Sequence, residues 1–110
     1  GLNLDDGRAL MAFRIRDRQG GVYYAPEGTS FTPLRSWRSP RTGVEYPVAM
    51  RVAAGGEQFD LTPLMDDQEL DARRSTGTIY WEGAVRALHA GTEVGRGYLE
   101  LTGYWRPLEL

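Results

Sequence analysis

Apolar and polar residues alternate along two early segments of the chain, residues 9–16 and residues 45–52. A period of two is typical of a β-strand that is buried on one side only. The faces that we expect to be buried carry Met11, Phe13 and Ile15 in the first segment and Tyr46, Val48, Met50 and Val52 in the second. Pro47 lacks an N–H group, so we expect it at the start or the edge of its strand.

The two strongest strand patterns come last, at residues 78–87 and residues 97–105. One side of these strands is predicted to carry Ile79, Trp81, Val85, Ala87, Leu99, Leu101 and Trp105. The other side is predicted to carry Thr78, Tyr80, Glu82, Arg86, Tyr98, Glu100, Thr102 and Tyr104. Residues 88–96 lie between the two strands and contain two glycines, which predicts a hairpin connection.

Weaker patterns complete a prediction of an all-β fold. Phe59 and Leu61 indicate a short strand before Pro63, residues 70–74 indicate another, and residues 66–70 are the one candidate for a helical turn. A chain of 110 residues is expected to fold as one domain. Many short strands favour a sandwich or a closed barrel, and closure leaves no long unpaired edge. We therefore predict an antiparallel β-barrel.

Composition and charge exclude several classes of function. The net charge is −2 and the 13 positive residues are scattered, which argues against a nucleic-acid partner. The absence of cysteine excludes disulfides, thiolate zinc sites and a cysteine nucleophile. No stretch has the length and apolarity of a membrane span, and no dinucleotide, phosphate-loop or metalloprotease motif occurs. We expect no cofactor and no metal.

Two motifs near the end of the chain resemble a known family. Residues 80–85 (YWEGAV) and 95–104 (GRGYLELTGY) are similar to the closing motifs of the hydroxyneurosporene synthase (carotenoid 1,2-hydratase) and AttH-like family of predicted secreted hydrolases. Three earlier segments also resemble the family and occur in the same order. The first is residues 4–8 (LDDGR) with residues 10–11, and the last is residues 67–70 (DQEL). The middle segment is residues 37–47, with Trp37, Ser39-Pro40, Thr42-Gly43 and Tyr46-Pro47.

The resemblance implies a lipocalin-like (calycin-type) barrel that spans residues 1–110. In the family this barrel is usually the C-terminal one of two, so a preceding barrel domain of the same protein is the expected partner. Members of the AttH-like branch are typically exported, which implies a periplasmic or membrane-associated location.

The last two predicted strands carry the candidate chemistry. Hydration of an isolated double bond needs a strong general acid and shelter for a cation, and a carboxylic acid in an apolar pocket keeps its proton to higher pH. Glu82 and Glu100 are the catalytic candidates. Aromatic rings can stabilise a cation or hold an apolar ligand, and the candidates for this role are Tyr80, Trp81, Tyr98, Tyr104 and Trp37.

The same residues also fit simpler interpretations. Glu and Tyr that alternate with Trp and Leu are typical of the solvent face of a sheet with one buried side. Trp37 can instead plug one end of the barrel. Asp66, Asp67 and Glu69 form an acidic cluster, which is best explained as solvated carboxylates of a turn because it lacks the spacing of a calcium loop. His89 is expected to be an exposed loop residue, and no serine lies in a Gly-x-Ser-x-Gly motif.

Three functions are compatible with the sequence. The first is a binding module for a small apolar molecule, such as an isoprenoid or a lipid. The second is a hydro-lyase that adds water to a terpenoid double bond, with Glu82 or Glu100 as the proton donor. The third is a structural barrel that packs on its partner domain, with exposed apolar surface that forms a homodimer when the domain is isolated.

Overall fold

The regular structure of the described part of the chain consists of β-strands. The computed structural model describes residues 1–10, 15–16, 22–24, 28–54 and 56–105. Its strands are β1 (Leu2–Leu4), β2 (Ala9–Leu10), β3 (Ile15–Arg16), β4 (Val22–Tyr24), β5 (Ser30–Arg38), β6 (Glu45–Ala54), β7 (Glu57–Pro63), β8 (Glu69–Ala72), β9 (Thr78–His89) and β10 (Thr92–Leu101). None of these residues forms a helix that could cross a membrane.

Eight strands form one antiparallel sheet in the order β2-β1-β10-β9-β7-β6-β5, with β8 beside β9. Along one side of β9, β7 pairs with residues 85–88 and β8 pairs with residues 78–81. Along the other side, β10 pairs with β9 over almost its whole length. β3 and β4 form a separate two-stranded sheet. The predicted all-β, antiparallel fold is therefore confirmed.

The sheet is curled, because β6 and β10 contact each other although two strands separate them in the sheet. Within the described ranges, the two outer strands of the sheet, β2 and β5, do not pair with each other. The sheet is thus not closed there, and the closed barrel stays a prediction.

Alternation places one apolar face of the sheet in the core. The buried cluster is Leu2, Leu4, Val44, Tyr46, Val48, Met50, Val52, Phe59, Leu61, Trp81, Val85, Ala87 and Leu101. Removal of this apolar surface from water is the main force that holds the sheet in its curled form. The inner faces predicted for residues 45–52 and 78–87 are confirmed. Pro47 lies near the start of β6, where β5 pairs with β6 and β7 does not, as expected for a residue without an N–H group.

Three predicted elements differ from the structure. The segment 9–16 contributes to two strands, β2 and β3, while Met11 and Phe13 lie outside the described residues. The helical turn predicted at residues 66–70 is wrong, because the chain bends at residues 64–66 and is extended in β8. The last strand ends at Leu101 instead of Trp105.

The hairpin between β9 and β10 is also shorter than the predicted connection at residues 88–96. His89 pairs with Thr92, so only Ala90 and Gly91 form the turn. Both have positive φ, 49° for Ala90 and 82° for Gly91, as a two-residue type I′ turn requires. The pairing of β9 with β10 therefore extends to His89 and Thr92, directly beside the turn.

Candidate functional site

The side chain of Gln68 fills the gap between β7 and β8, which both pair with the same side of β9. The Gln68 Oε1 accepts a hydrogen bond from the backbone N–H of Ala84 at 2.9 Å, and its Nε2 donates to the Met65 carbonyl at 2.8 Å. The indole N–H of Trp81 donates to the Asp66 carbonyl at 2.8 Å. These bonds satisfy backbone groups that the sheet ladder leaves unpaired, and they fix the segment that leads into Glu69.

Glu69 is a buried carboxylate, although the sequence suggested a solvated one. Its side chain is 1% exposed. It accepts hydrogen bonds from three hydroxyls, Ser39 Oγ at 2.6 Å, Thr42 Oγ1 at 2.7 Å and the Tyr46 hydroxyl at 2.7 Å. Arg41 lies 3.3 Å away. We call Ser39, Thr42, Tyr46 and Glu69 the carboxylate cluster.

The hydrogen bonds keep Glu69 ionised. Burial raises the pKa of the Glu69 carboxyl, but the hydrogen bonds from Ser39, Tyr46 and Thr42 outweigh it and hold the pKa below its ordinary value. Burial, followed by the bond to Glu69, raises the pKa of the Tyr46 hydroxyl. All the hydroxyls point at the carboxylate and none at open space, so the cluster clamps the turn between β5 and β6 onto β8.

Asp66 and Asp67 lie at the surface beside the carboxylate cluster, and each pairs with an arginine. Arg35 donates to Asp66 at 2.7 and 2.9 Å, and Arg41 donates to Asp67 at 2.5 and 2.6 Å. The hydrogen bonds from these arginines are the largest influence on each carboxyl and lower its pKa. Among the described residues, no three His, Cys, Asp or Glu side chains are grouped as a metal site would require.

The predicted neighbours Glu82 and Glu100 lie directly opposite each other in the β9–β10 pair. Both are exposed, on the face of the sheet that points away from the apolar core. Tyr80 lies on the same face, partly buried, and Tyr98 is 67% exposed beside Ala84. The structure thus brings Glu82, Glu100, Tyr80 and Tyr98 together on the outer face.

The other three predicted residues lie on the core side. Trp81 is fully buried. Trp37 stacks on Tyr46 with ring centroids 6.3 Å apart and an interplanar angle of 19°, and Tyr104 contacts the same tyrosine at 6.2 Å. Trp37 and Tyr104 are partly buried against the core. The sheet therefore separates these rings from Glu82 and Glu100.

A pocket opens at the opposite end of the sheet from the carboxylate cluster, where three hairpins meet. It has a volume of about 250 Å³. Its apolar floor is formed by Leu4, Phe59 and Val94. The charged and polar residues around it are Asp5, Asp6, Arg8, Glu57, His89 and Glu93.

Arg8 ties two of the hairpins together at this pocket. It donates to Asp6 at 2.8 Å and to Glu57 at 2.5 and 3.0 Å. Hydrogen bonds from Arg8 lower the pKa of both carboxyls. His89 is exposed, as expected, but it is the last residue of β9; its Nδ1 lies 3.0 Å from the Gln58 carbonyl and its ring 6.1 Å from that of Phe59.

Sequence reasoning missed both the pocket and the carboxylate cluster. The pocket joins residues that are far apart in the sequence and carry no common motif. A signal for Glu69 did exist, because its partner across the β8–β9 pair is the buried Trp81. Residues that lie opposite each other in an antiparallel pair share a face, so correct pairing of residues 69–72 with 78–81 would have placed Glu69 inside.

Comparison with known proteins identifies the family. The family model for AttH-like proteins matches residues 1–104. The chain belongs to the AttH-like family. A crystal structure of a protein from Nitrosomonas europaea assigned as AttH superposes on this AttH-like chain with a TM-score of 0.87 and 50% sequence identity. The match covers 94% of the AttH-like chain and 37% of the Nitrosomonas protein, so the chain spans just over a third of that protein. A search of curated proteins finds no match.

Proposed function

We propose that this AttH-like domain binds a small apolar molecule of isoprenoid or lipid type in the pocket between its hairpins. The observation that carries the proposal is the combination of an apolar floor, formed by Leu4, Phe59 and Val94, with a polar rim. Small-molecule sites usually combine an apolar lining with a few placed polar groups. Leu4 and Phe59 belong to the buried core and Val94 packs against it, and close-packed interiors have little freedom to change shape.

The size of the pocket limits the ligand. Its volume of about 250 Å³ lies just below the range of roughly 300–1,000 Å³ that is usual for ligand sites. A short isoprenoid, or the end of a longer chain, fits this volume better than a whole carotenoid. The remainder of a longer ligand would extend into solvent or onto another part of the full-length protein.

The rim favours one kind of head group. Asp5, Asp6, Glu57 and Glu93 are acidic, whereas Arg8 is the one arginine of the lining and is already paired with two of these carboxylates. Carboxylates accept hydrogen bonds and repel anions. The rim therefore suits an alcohol or another donor head group, and disfavours a fatty-acid carboxylate.

A titration followed by NMR tests the proposal. Geraniol, a short isoprenoid alcohol, should give saturable shifts at Leu4, Phe59 and Val94, while geranic acid, of the same shape but anionic, should bind more weakly. Val94→Trp should fill the partly exposed edge of the floor and reduce geraniol binding at least about tenfold, about 1.4 kcal/mol. Leu34→Trp, the same bulky replacement at an exposed residue of β5, is the matched control.

Two results would count against the proposal. One is the absence of saturable shifts at the floor with either probe. The other is equal binding by the Val94→Trp and Leu34→Trp variants, because a ligand that ignores the filled pocket must bind elsewhere.

The closed lipocalin-like barrel over residues 1–110 stays a prediction. For the full-length protein, the preceding barrel domain, export and the resemblance to hydroxyneurosporene synthase stay predictions too. A hydratase in which Glu82 or Glu100 donates the proton also stays a prediction. Because both carboxylates are exposed here, that chemistry would require another part of the protein to cover them and supply apolar surroundings.

A further inference from the structure

The outer face of the β9–β10 pair arranges its charges in rows of like sign. Glu82 lies opposite Glu100, and four residues along β9, Arg86 lies opposite Arg96. Between these two rows, Ala84 lies opposite Tyr98. Like charges directly opposite each other are unfavourable in a sheet, so this arrangement is unusual for a face that contacts only water.

The chain itself offsets these charges only in part. Glu93 lies 3.1 Å from the Nε of Arg96 and 3.7 Å from that of Arg86, so the basic row keeps a net positive charge. In the acidic row, Glu100 accepts a hydrogen bond from Thr102 at 3.2 Å. No arginine of the described ranges forms a salt bridge with Glu82 or Glu100. One row is thus negative and the other positive.

This pattern is complementary to itself. A two-fold axis that runs across the strands through the Ala84–Tyr98 row reverses the order of the rows in the second copy. The acidic row of each copy then faces the basic row of the other, as isologous contact requires. We propose that the outer face of β9 and β10 binds a second copy of this chain in this antiparallel arrangement.

The apolar residues of the same face follow the same symmetry. Tyr98, 67% exposed, lies at the proposed axis, where it meets its copy, and the small Ala84 beside it leaves room for the ring. Beyond the acidic row, the exposed Leu70 lies opposite Tyr80. Beyond the basic row lies Leu88, which is partly buried and faces outward. The axis that pairs the charges also brings Tyr80 onto Leu88 of the other copy, while Leu70 comes next to Asp60, which lies opposite Leu88 on β7.

The expected affinity is modest. The rows from Tyr80 to Leu88 extend over about 26 Å of strand, and the matching patch across β8, β9 and β10 is smaller than the roughly 800 Å² per partner of a standard interface. Association should therefore be visible at high micromolar protein concentration. It should weaken as salt is added, because exposed charge pairs are screened.

Sedimentation velocity of the isolated domain, with complementary charge reversals, tests the proposal. The double variant Glu82→Arg, Glu100→Arg makes both rows positive, and the double variant Arg86→Glu, Arg96→Glu makes both rows negative. Each variant alone should remain monomeric at concentrations where the wild-type domain dimerises. An equimolar mixture should form a heterodimer, because every row then faces a row of opposite sign.

The mixture separates loss of contact from loss of folding, since two misfolded variants would not restore each other. Tyr98→Ala, at an exposed position, is a second variant and should raise the dissociation constant about tenfold. A wild-type domain that stays monomeric would overturn the proposal, as would a mixture that fails to associate when circular dichroism shows both variants to be folded. Binding of this face to another part of a full-length AttH-like protein, with no self-association, would also overturn it.

Discussion

Replacement of Glu69 should cost more stability than replacement of any exposed carboxylate in the chain. Glu69→Ala removes the acceptor of three hydroxyl hydrogen bonds. Ser39 and Tyr46 are 1% and 0% exposed, so water cannot readily replace the lost acceptor. A buried donor without a partner costs about 1–3 kcal/mol. Because each hydroxyl can rotate toward another acceptor, the three costs do not add in full, and we expect a total loss of about 3–5 kcal/mol.

Glu69→Gln should cost less, about 1–3 kcal/mol, since its amide oxygen still accepts while its NH₂ group meets hydroxyls that must reorient. Glu45→Ala is the matched control, because Glu45 is an exposed glutamate whose recorded partner is the surface residue Arg38. Its loss should change stability by no more than about 0.5 kcal/mol.

Urea unfolding followed by circular dichroism measures these differences directly. A loss of about 4 kcal/mol is a large part of the roughly 5–15 kcal/mol that holds a small domain together. A double-mutant cycle with Tyr46→Phe isolates the contribution of one hydroxyl. If Glu69→Ala and Glu45→Ala are equally stable, or if Tyr46 and Glu69 show no coupling, the carboxylate cluster does not clamp the turn as described.

Three further predictions follow from the same structure. The pKa of Glu69 is lowered in the folded state, so its contribution to the free energy of unfolding is fully present above the ordinary glutamate pKa and is lost as pH falls through the lowered folded pKa. The stability difference between wild type and Glu69→Gln should therefore persist at pH 5–7 and shrink below about pH 4. A constant difference down to pH 2 would contradict this. Gly83→Ala would place a Cβ 2.5 Å from the Gln68 amide and the Trp81 ring, which should cost about 1–3 kcal/mol in urea unfolding, whereas an unchanged midpoint would show that Gln68 is not held tightly. Ala90 has φ 49°, so Ala90→Gly should relieve strain of up to about 1 kcal/mol and raise the Tm, and a lowered Tm would refute the assigned turn geometry.

Alternation in the sequence was sufficient to predict much of the sheet. Residues 45–52 and 78–87 show the period of two, and their inner faces match the structure. The outer face predicted for residues 45–52 matches only in part, because Ala49 is also buried. The predicted antiparallel pairing of the last two strands is also confirmed. These features are local, because the side chains of one strand sort themselves between water and the core.

Features that depend on distant residues could not be predicted in this way. Glu69 lies in a strand of four residues, too short for alternation to distinguish its inner face. Its hydroxyl partners lie 23 to 30 residues away in the sequence. The pocket likewise combines the ends of three hairpins, and only the folded sheet brings Leu4, Phe59 and Val94 together. The sequence did not decide whether the face that carries Glu82 and Glu100 points into the core or out to solvent. The structure places both residues on the outer face.

The pairing of β1 with β10 has a consequence for how the domain forms. Residues 2–4 pair with residues 95–97, and the backbone N–H of Tyr98 donates to the Gly1 carbonyl at 3.0 Å. β5, β6 and β7 instead form a local meander, and β9 and β10 a local hairpin. Contacts between distant residues cost more loop-closure entropy than local ones, so β1 should dock last during folding. Its release should then be among the first partial openings of the native domain, and native-state hydrogen exchange should show earlier loss of protection in β1 than in β9.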